Sequence, residues 1–341
     1  MSVIGKHDGI LVAGGGGFIG GHLVAALVAD GHRRVRAVDV KPLDEWYQRV
    51  DGVENLVLDL KDYDACVTAT NGMAYVFNLA ADMGGMGFIE THKAACMLSV
   101  LINTHLLMAA RDAGVKRFFF SSSACVYAAD KQTSPDVTAL KESDAYPAEP
   151  EDGYGWEKLF SERMCRHFTE DFGLETRVAR YHNVYGPYGT WTGGREKAPA
   201  ACIRKVLECR ESGTTRIEVW GDGQQTRSFM YIDDCVDGTR RLMESALRAP
   251  VNIGSDQLVT IDQLYRIAEG LAGVTLQHVY DPSKPKGVRG RNSDNEMITR
   301  ELGWAPSIRL EAGMRKTFEW IEAEMRRARL ESPAQRAAVT R

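Results

Sequence analysis

Through its first half the chain alternates short apolar runs with segments whose apolar residues recur at helical spacing. This is the pattern of strand and helix units wound into a parallel sheet. Residues 10–13, 35–39, 55–58, 74–79, 117–121 and 175–180 read as strands, and helices are expected to start near Phe18, Lys61, Glu90 and Tyr154. The pattern predicts an α/β fold of the Rossmann type, a doubly wound parallel sheet whose ligands lie at the carboxyl ends of the strands. After Gly186 the rhythm shortens, with helices expected over residues 197–210, 233–245, 261–271 and 310–325. Residues 1–186, with segments crossing from the second half, are therefore expected to form the sheet lobe, and 187–326 a smaller C-terminal α/β lobe. The Arg- and Ala-rich stretch 327–341 is expected to fray. No internal repeat or low-complexity tether separates the lobes.

The first strand runs into Ala13-Gly14-Gly15-Gly16-Gly17-Phe18-Ile19-Gly20, which opens a helix. Gly14 suits a tight turn, Gly17 the approach of a pyrophosphate to the helix amino end, and Gly20 close packing of helix on strand. Asp39 ends the second strand at the place where a carboxylate binds the adenosine ribose hydroxyls and repels an extra phosphate, which favours NAD over NADP. Lys41 tempers that preference without reversing it. Tyr154-Gly155-Trp156-Glu157-Lys158 sets a phenol and an ammonium on one helical face. There the lysine can draw down the phenol's pKa and hold the ribose, while the phenol accepts a hydroxyl proton.

Ser123, at the end of the Phe120-Ser121-Ser122-Ser123 strand, joins Tyr154 and Lys158 in a set that resembles the Ser, Tyr, Lys triad of extended short-chain dehydrogenases. Asp59-Leu60 is similar to that family's adenine-facing position, and Asn78-Leu79-Ala80-Ala81 to its cofactor floor, which adds Asp59, Leu60 and Ala80 to the expected NAD contacts with Phe18 and Ile19. Arg180-Tyr181-His182-Asn183-Val184-Tyr185-Gly186-Pro187 resembles the sugar-nucleotide segment. Arg227-Ser228-Phe229-Met230-Tyr231-Ile232-Asp233-Asp234 and Val251-Asn252-Ile253-Gly254-Ser255 match the same group.

Three further segments narrow the resemblance to the GDP-mannose 3,5-epimerase family: Ala80-Ala81-Asp82-Met83-Gly84-Gly85-Met86-Gly87-Phe88-Ile89, Gly193-Gly194-Arg195-Glu196-Lys197-Ala198-Pro199-Ala200-Ala201 and Gly287-Val288-Arg289-Gly290-Arg291-Asn292-Ser293-Asp294-Asn295. The likeness spans residues 9–325. It implies tightly bound, recycled NAD and conversion of GDP-D-mannose to GDP-L-galactose, GDP-L-gulose or both, through a transient C4 ketone. It also places a carbon base at Cys125 and an acid at Lys197, two groups whose ordinary pKa values of about 8.5 and 10.4 can be drawn toward neutrality in a closed site. Gly84, Gly85 and Met86 are expected against the sugar. Asn183, Glu196, Ala198 and Arg227 are expected to touch the substrate, with Ser123, Cys125 and Lys197. Arg289 and Arg291 suit the diphosphate. His182 reads as a packed or hydrogen-bonded histidine rather than a proton shuttle.

Composition removes other classes. Of 341 residues 44% are hydrophobic, enough for a large core. A net charge of −4 with interspersed signs leaves no footprint for nucleic acid or an anionic membrane. No apolar run is expected to approach a membrane span, and residues 1–8 lack a basic-to-apolar leader, so a cytoplasmic location is expected. Cysteines 66, 96, 125, 165, 202, 209 and 235 are odd in number and lack zinc spacing, which points to free thiols and no metal site. A homodimer is expected by the resemblance and because closed twofolds are common. A 4,6-dehydratase would use a glutamate near Cys125, a simple 4-epimerase would leave Cys125 and Lys197 without a role, and a silent NAD-binding regulator would need none of the four reactive groups together.

Overall fold

A computed structural model of the chain describes residues 3–284 and 287–330. The first half comprises β1 (Gly9–Ala13), α1 (Phe18–Ala29), β2 (Arg34–Asp39), β3 (Glu54–Val57), α2 (Tyr63–Thr70) and β4 (Tyr75–Asn78). It continues with α3 (Met86–Thr91), α4 (Lys93–Met97), α5 (Ser99–Asp112), β5 (Arg117–Ser123), α6 (Asp152–Phe172), β6 (Glu175–Tyr181) and β7 (Asn183–Tyr185). The second half adds α7 (Ala198–Ser212), β8 (Arg216–Trp220), β9 (Thr226–Tyr231), α8 (Ile232–Glu244), β10 (Val251–Ile253), β11 (Leu258–Thr260) and α9 (Ile261–Ala272). It ends with β12 (Gln277–Asp281), β13 (Gly290–Arg291), α10 (Glu296–Leu302) and α11 (Leu310–Leu330).

A seven-stranded sheet in the order β10-β6-β5-β4-β1-β2-β3 carries the larger lobe, and each pair in it is parallel. β1 and β4 are buried along their whole length, as strands covered by helices on both faces must be. The order reverses between β1 and β4, and the carboxyl ends of those strands open the crevice where such folds bind ligands. The smaller lobe holds β11, β9, β13 and β7 in one sheet and the β12–β8 pair in another.

The boundary near residue 187 does not divide the chain cleanly. β10 returns to the edge of the large sheet beside β6, with Val251 opposite Ala179, and α8 packs on α1. One continuous apolar core consequently spans both lobes, from Ile10 and Leu23 through Tyr231 and Leu242 to Phe318.

Three expectations change. The helix expected from Glu90 is broken into α3, α4 and α5, with non-helical backbone at His92 (φ −126°, ψ 41°) and a second break at Leu98. The stretch Lys93–Asp112 is, by length and apolarity, long enough to cross a membrane, contrary to the sequence reading. It packs as a core helix pair, with Ile102, Leu106, Leu107 and Ala110 buried. Finally, residues 327–330 continue α11 rather than fraying, and the rest of the expected tail lies outside the described residues.

Candidate active site

A cavity of about 980 Å³ runs along the carboxyl ends of the strands and continues between the lobes. At one end the β1–α1 turn is built of glycines for steric reasons. Gly14 has φ +82° and donates to the Val38 carbonyl at 2.7 Å. A Cβ on Gly20 would sit 2.0 Å from the Gly14 carbonyl oxygen, so only glycine lets α1 approach the turn. No side chain caps α1 behind Gly17. Its first amides, with the positive end of the helix dipole, therefore face the cavity and suit a pyrophosphate. Asp39 lines the same end and accepts the Lys41 amide at 3.1 Å. The Lys41 ammonium turns instead to the Gly16 carbonyl at 2.5 Å. Lys41 thus braces the glycine turn, and among the described residues it forms no ion pair with Asp39. Phe18, Ile19, Asp59, Leu60 and Ala80 border the cavity here.

At the other end β5 finishes in Ser123, whose hydroxyl accepts the Cys125 amide at 3.2 Å and starts a short turn over residues 124–126. The Cys125 carbonyl accepts the Glu151 amide at 2.9 Å. A Cβ on Gly155 would meet that carbonyl at 2.3 Å, so α6 reaches the turn only because residue 155 is glycine. This contact brings Cys125 and Tyr154 into one buried cluster with Phe88, Ile89 and Cys96. One turn along α6, the Lys158 ammonium lies 5.5 Å from the centre of the Tyr154 ring and 4.8 Å from that of Phe120.

The electrostatics differ from the sequence expectation in one respect. Burial pushes the Tyr154 phenol well above its ordinary value, and negative charge at Cys125 and Glu157 pushes the same way, while the Ser123 hydroxyl works against them. Desolvation of a fully enclosed phenolate is the largest of these influences. With the protein's own groups alone, Tyr154 holds its proton at neutral pH.

The smaller lobe contributes a second loop. The Gly85 amide donates to the Arg195 carbonyl at 3.0 Å, and a Cβ on Gly85 would meet the Glu196 carbonyl at 2.5 Å. The Arg195 guanidinium stacks 3.7 Å from the Phe88 ring centre and pairs with Asp82 at 2.9 Å. This clasp leads directly into Lys197, which lines the cavity together with Cys125 and has no carboxylate in ion-pair distance among the described residues. Burial lowers the Lys197 pKa from its ordinary value, and the Cys125 charge raises it in part. Glu196 is committed to Arg204 at 3.0 Å. Arg195 escaped the sequence reading as a functional residue, although it stands inside a quoted segment.

The two candidate arginines separate. Arg291 is buried; its Nε donates to Gln132 Oε1 at 2.7 Å, its Nη1 lies 3.7 Å from the Cys125 sulfur, and it pairs with Glu151. It is thus a neighbour of the thiol. Arg289 does not line the cavity and pairs with Asp222 at 2.8 Å, so the structure does not bring it to the expected site. Gly84, Asn183, Ala198 and Arg227 line the cavity, with Asn183 donating to the Ser228 carbonyl at 3.1 Å. The Met86 backbone opens α3, and its side chain lies outside the description. His182 is buried against Asn252 at 3.1 Å and is pushed down to about 4 by burial, hence neutral. Gln132 and Glu151, the partners of Arg291, had no motif to reveal them. No group of three metal-ligating side chains occurs among the described residues.

Residues 10–254 match the model of the NAD dependent epimerase/dehydratase family. The chain is 49% identical over 93% of its length to GDP-mannose 3,5-epimerase 1 of Oryza sativa subsp. japonica, covering 82% of that protein. It is 47% identical, with the same coverage, to GDP-mannose 3,5-epimerase of Arabidopsis thaliana. Among solved structures, UDP-glucose 4-epimerase from Thermotoga maritima with UDP-glucose is similar at a TM-score of 0.83 and 27% identity, over 93% of this chain and 99% of the other.

Proposed function

The chain belongs to the NAD-dependent epimerase/dehydratase family, and on that premise we propose that its substrate is GDP-mannose and that it inverts C5, or C3 and C5, of the mannosyl ring. It is an NAD-dependent sugar-nucleotide epimerase, an isomerase of the Rossmann-type fold. The observation that carries the finer reading is the joint presence of Cys125 and Lys197 in one cavity with Tyr154, since a 4-epimerase needs neither.

The glycine cradle, the uncapped amino end of α1 and Asp39 fit a dinucleotide with free ribose hydroxyls, and NAD, when bound there, accepts and returns the hydrogen at C4. The chain's own groups move the protons. Once its own proton has left, Tyr154 as the phenolate receives the C4 hydroxyl proton as the ketone forms and gives it back at the end, with Ser123 beside it as a hydrogen-bond partner. Forming that phenolate is opposed by burial and helped by the Lys158 ammonium. The ketone acidifies the hydrogens on the neighbouring carbons. Cys125 removes one, and the Lys197 ammonium, its hold on the proton already weakened by burial, delivers a proton to the carbon. The clasp of Arg195 on Asp82 and Phe88 keeps Lys197 in place and restricts water. Because oxidation and re-reduction cancel, turnover of GDP-mannose is expected to leave no net NADH, and stoichiometric NADH would contradict the reading.

The protein is further proposed to be a cytoplasmic homodimer. Met97 on α4, Leu98 at the α4–α5 junction, Leu101 on α5, and Trp156 and Phe160 on α6 are exposed apolar side chains on helices packed against one another, and a twofold mate would cover them. None of the seven cysteines is paired, which suits a reducing compartment.

A further inference from the structure

Glu157 lies between Tyr154 and Lys158 in the sequence of α6 and, unlike them, does not line the cavity. Its carboxylate and the Lys158 ammonium are each 1% exposed, and Oε2 lies 3.5 Å from Nζ. Ser161, one turn further, donates to Oε1 at 3.0 Å, so one oxygen is anchored and the other has no partner but the ammonium. Among the described residues Lys158 has no second carboxylate in ion-pair distance. Its other neighbours are the Phe120 and Tyr154 rings. Burial pushes the Glu157 carboxyl upward, and Lys158 is the strongest influence pulling it back. The ionisable groups facing the pair from elsewhere are Cys96 of α4, which faces Glu157, and Cys165 and Glu162 further along α6. Glu162 is already held by Arg180 and Ser122, at 2.7 Å and 2.5 Å.

A buried ammonium without a counter-ion is costly and free to change rotamer. Among the described residues Glu157 is the one carboxylate in ion-pair distance of Lys158, and the same carboxylate opposes formation of the Tyr154 phenolate. We propose that Glu157 is a positioning residue for the C4 oxidation step, fixing the Lys158 ammonium against the Tyr154 ring without touching substrate or cofactor. This rests on the assignment of Tyr154 and Lys158 to that step. The carboxylate trades part of the lysine's pull on the phenol for a fixed location of that pull.

The test is a double-mutant cycle on the full chain, using Glu157→Gln, Lys158→Met and the pair, with two readouts. In urea unfolding, each single change leaves one buried charge unpaired, so the double variant should be less destabilised than the sum of the singles. In single-turnover oxidation of GDP-mannose, Glu157→Gln should be slower by about tenfold or more, with unchanged GDP-mannose Kd, and should add no loss on top of Lys158→Met. A wild-type oxidation rate in Glu157→Gln, or independent losses in both readouts, overturns the inference. A wild-type rate in Lys158→Met would overturn the underlying assignment instead. Should Glu157→Gln not fold, Glu157→Asp draws the carboxylate back by one methylene, and the same step must slow; an unchanged rate overturns the inference equally.

Discussion

Replacing Cys125 by alanine should divide the reaction into its two halves. The sulfur is buried, but the turn that carries it is held by backbone: its amide to Ser123 and its carbonyl to the Glu151 amide. Alanine keeps both bonds and leaves a hole about the size of one heavy atom, at a cost of roughly 1 kcal/mol in stability. Charge at Cys125 is among the influences that push the Tyr154 phenol up, so removing the sulfur should leave C4 oxidation as fast as in the wild type or faster. Loss of a positioned base at carbon should slow proton exchange by about 100-fold or more, which corresponds to about 2.7 kcal/mol of transition-state stabilisation. Tyr154→Phe should do the opposite and abolish ketone formation, with the exchange that depends on it. The assay mixes enzyme and GDP-mannose in deuterated water, following reduction of bound NAD by absorbance and deuterium at C3 and C5 by NMR. Exchange at both carbons at the wild-type rate in Cys125→Ala would refute the assignment, and the thiol would revert to core packing.

Lys197 gives a stability prediction with a defined sign. Burial lowers its pKa from the ordinary lysine value, so the charged lysine destabilises the folded state at lower pH, and stability is regained as pH rises from the lowered folded value to the ordinary one, where the folded state binds fewer protons than the unfolded chain. Lys197→Met should therefore unfold at a higher temperature than wild type at neutral pH, with a gap that narrows toward alkaline pH, while inversion is lost; calorimetry across pH checks it. Glu162→Gln strands the Arg180 guanidinium, now held at 2.9 and 2.7 Å and 2% exposed, and should cost about 3–5 kcal/mol in chemical unfolding. Phe160→Glu, on the exposed face of α6, should shift sedimentation from dimer to monomer without unfolding the chain, and a wild-type monomer would remove the dimer proposal.

Much of this architecture was legible because local chemistry dictated it. Continuous apolar strands, a glycine turn that would clash with any Cβ at Gly20, and a phenol and ammonium one helical turn apart each leave a spacing in the chain. The break of the expected Glu90 helix at His92 was not legible, because the residues there are all compatible with helix and tertiary contact decides. Arg289 and Arg291 look alike in sequence, yet one pairs with exposed Asp222 and the other is enclosed beside Cys125. The side-chain partners of Arg291, Gln132 and Glu151, lie more than a hundred residues away in the chain. The raised Tyr154 phenol had the same origin: spacing reveals the ammonium, whereas burial and the Glu157 charge emerge only when the helix is seated.

One incubation decides whether C4 of GDP-mannose is oxidised transiently while protons move at the adjacent carbons. Purified protein is given GDP-mannose in deuterated water, and the products are read by NMR. Expected are GDP-L-galactose, GDP-L-gulose or both, deuterium at the inverted carbons, none at C4, and no net NADH. A 4-epimer without label on C3 or C5, or a 4-keto-6-deoxy product, would contradict this reaction course.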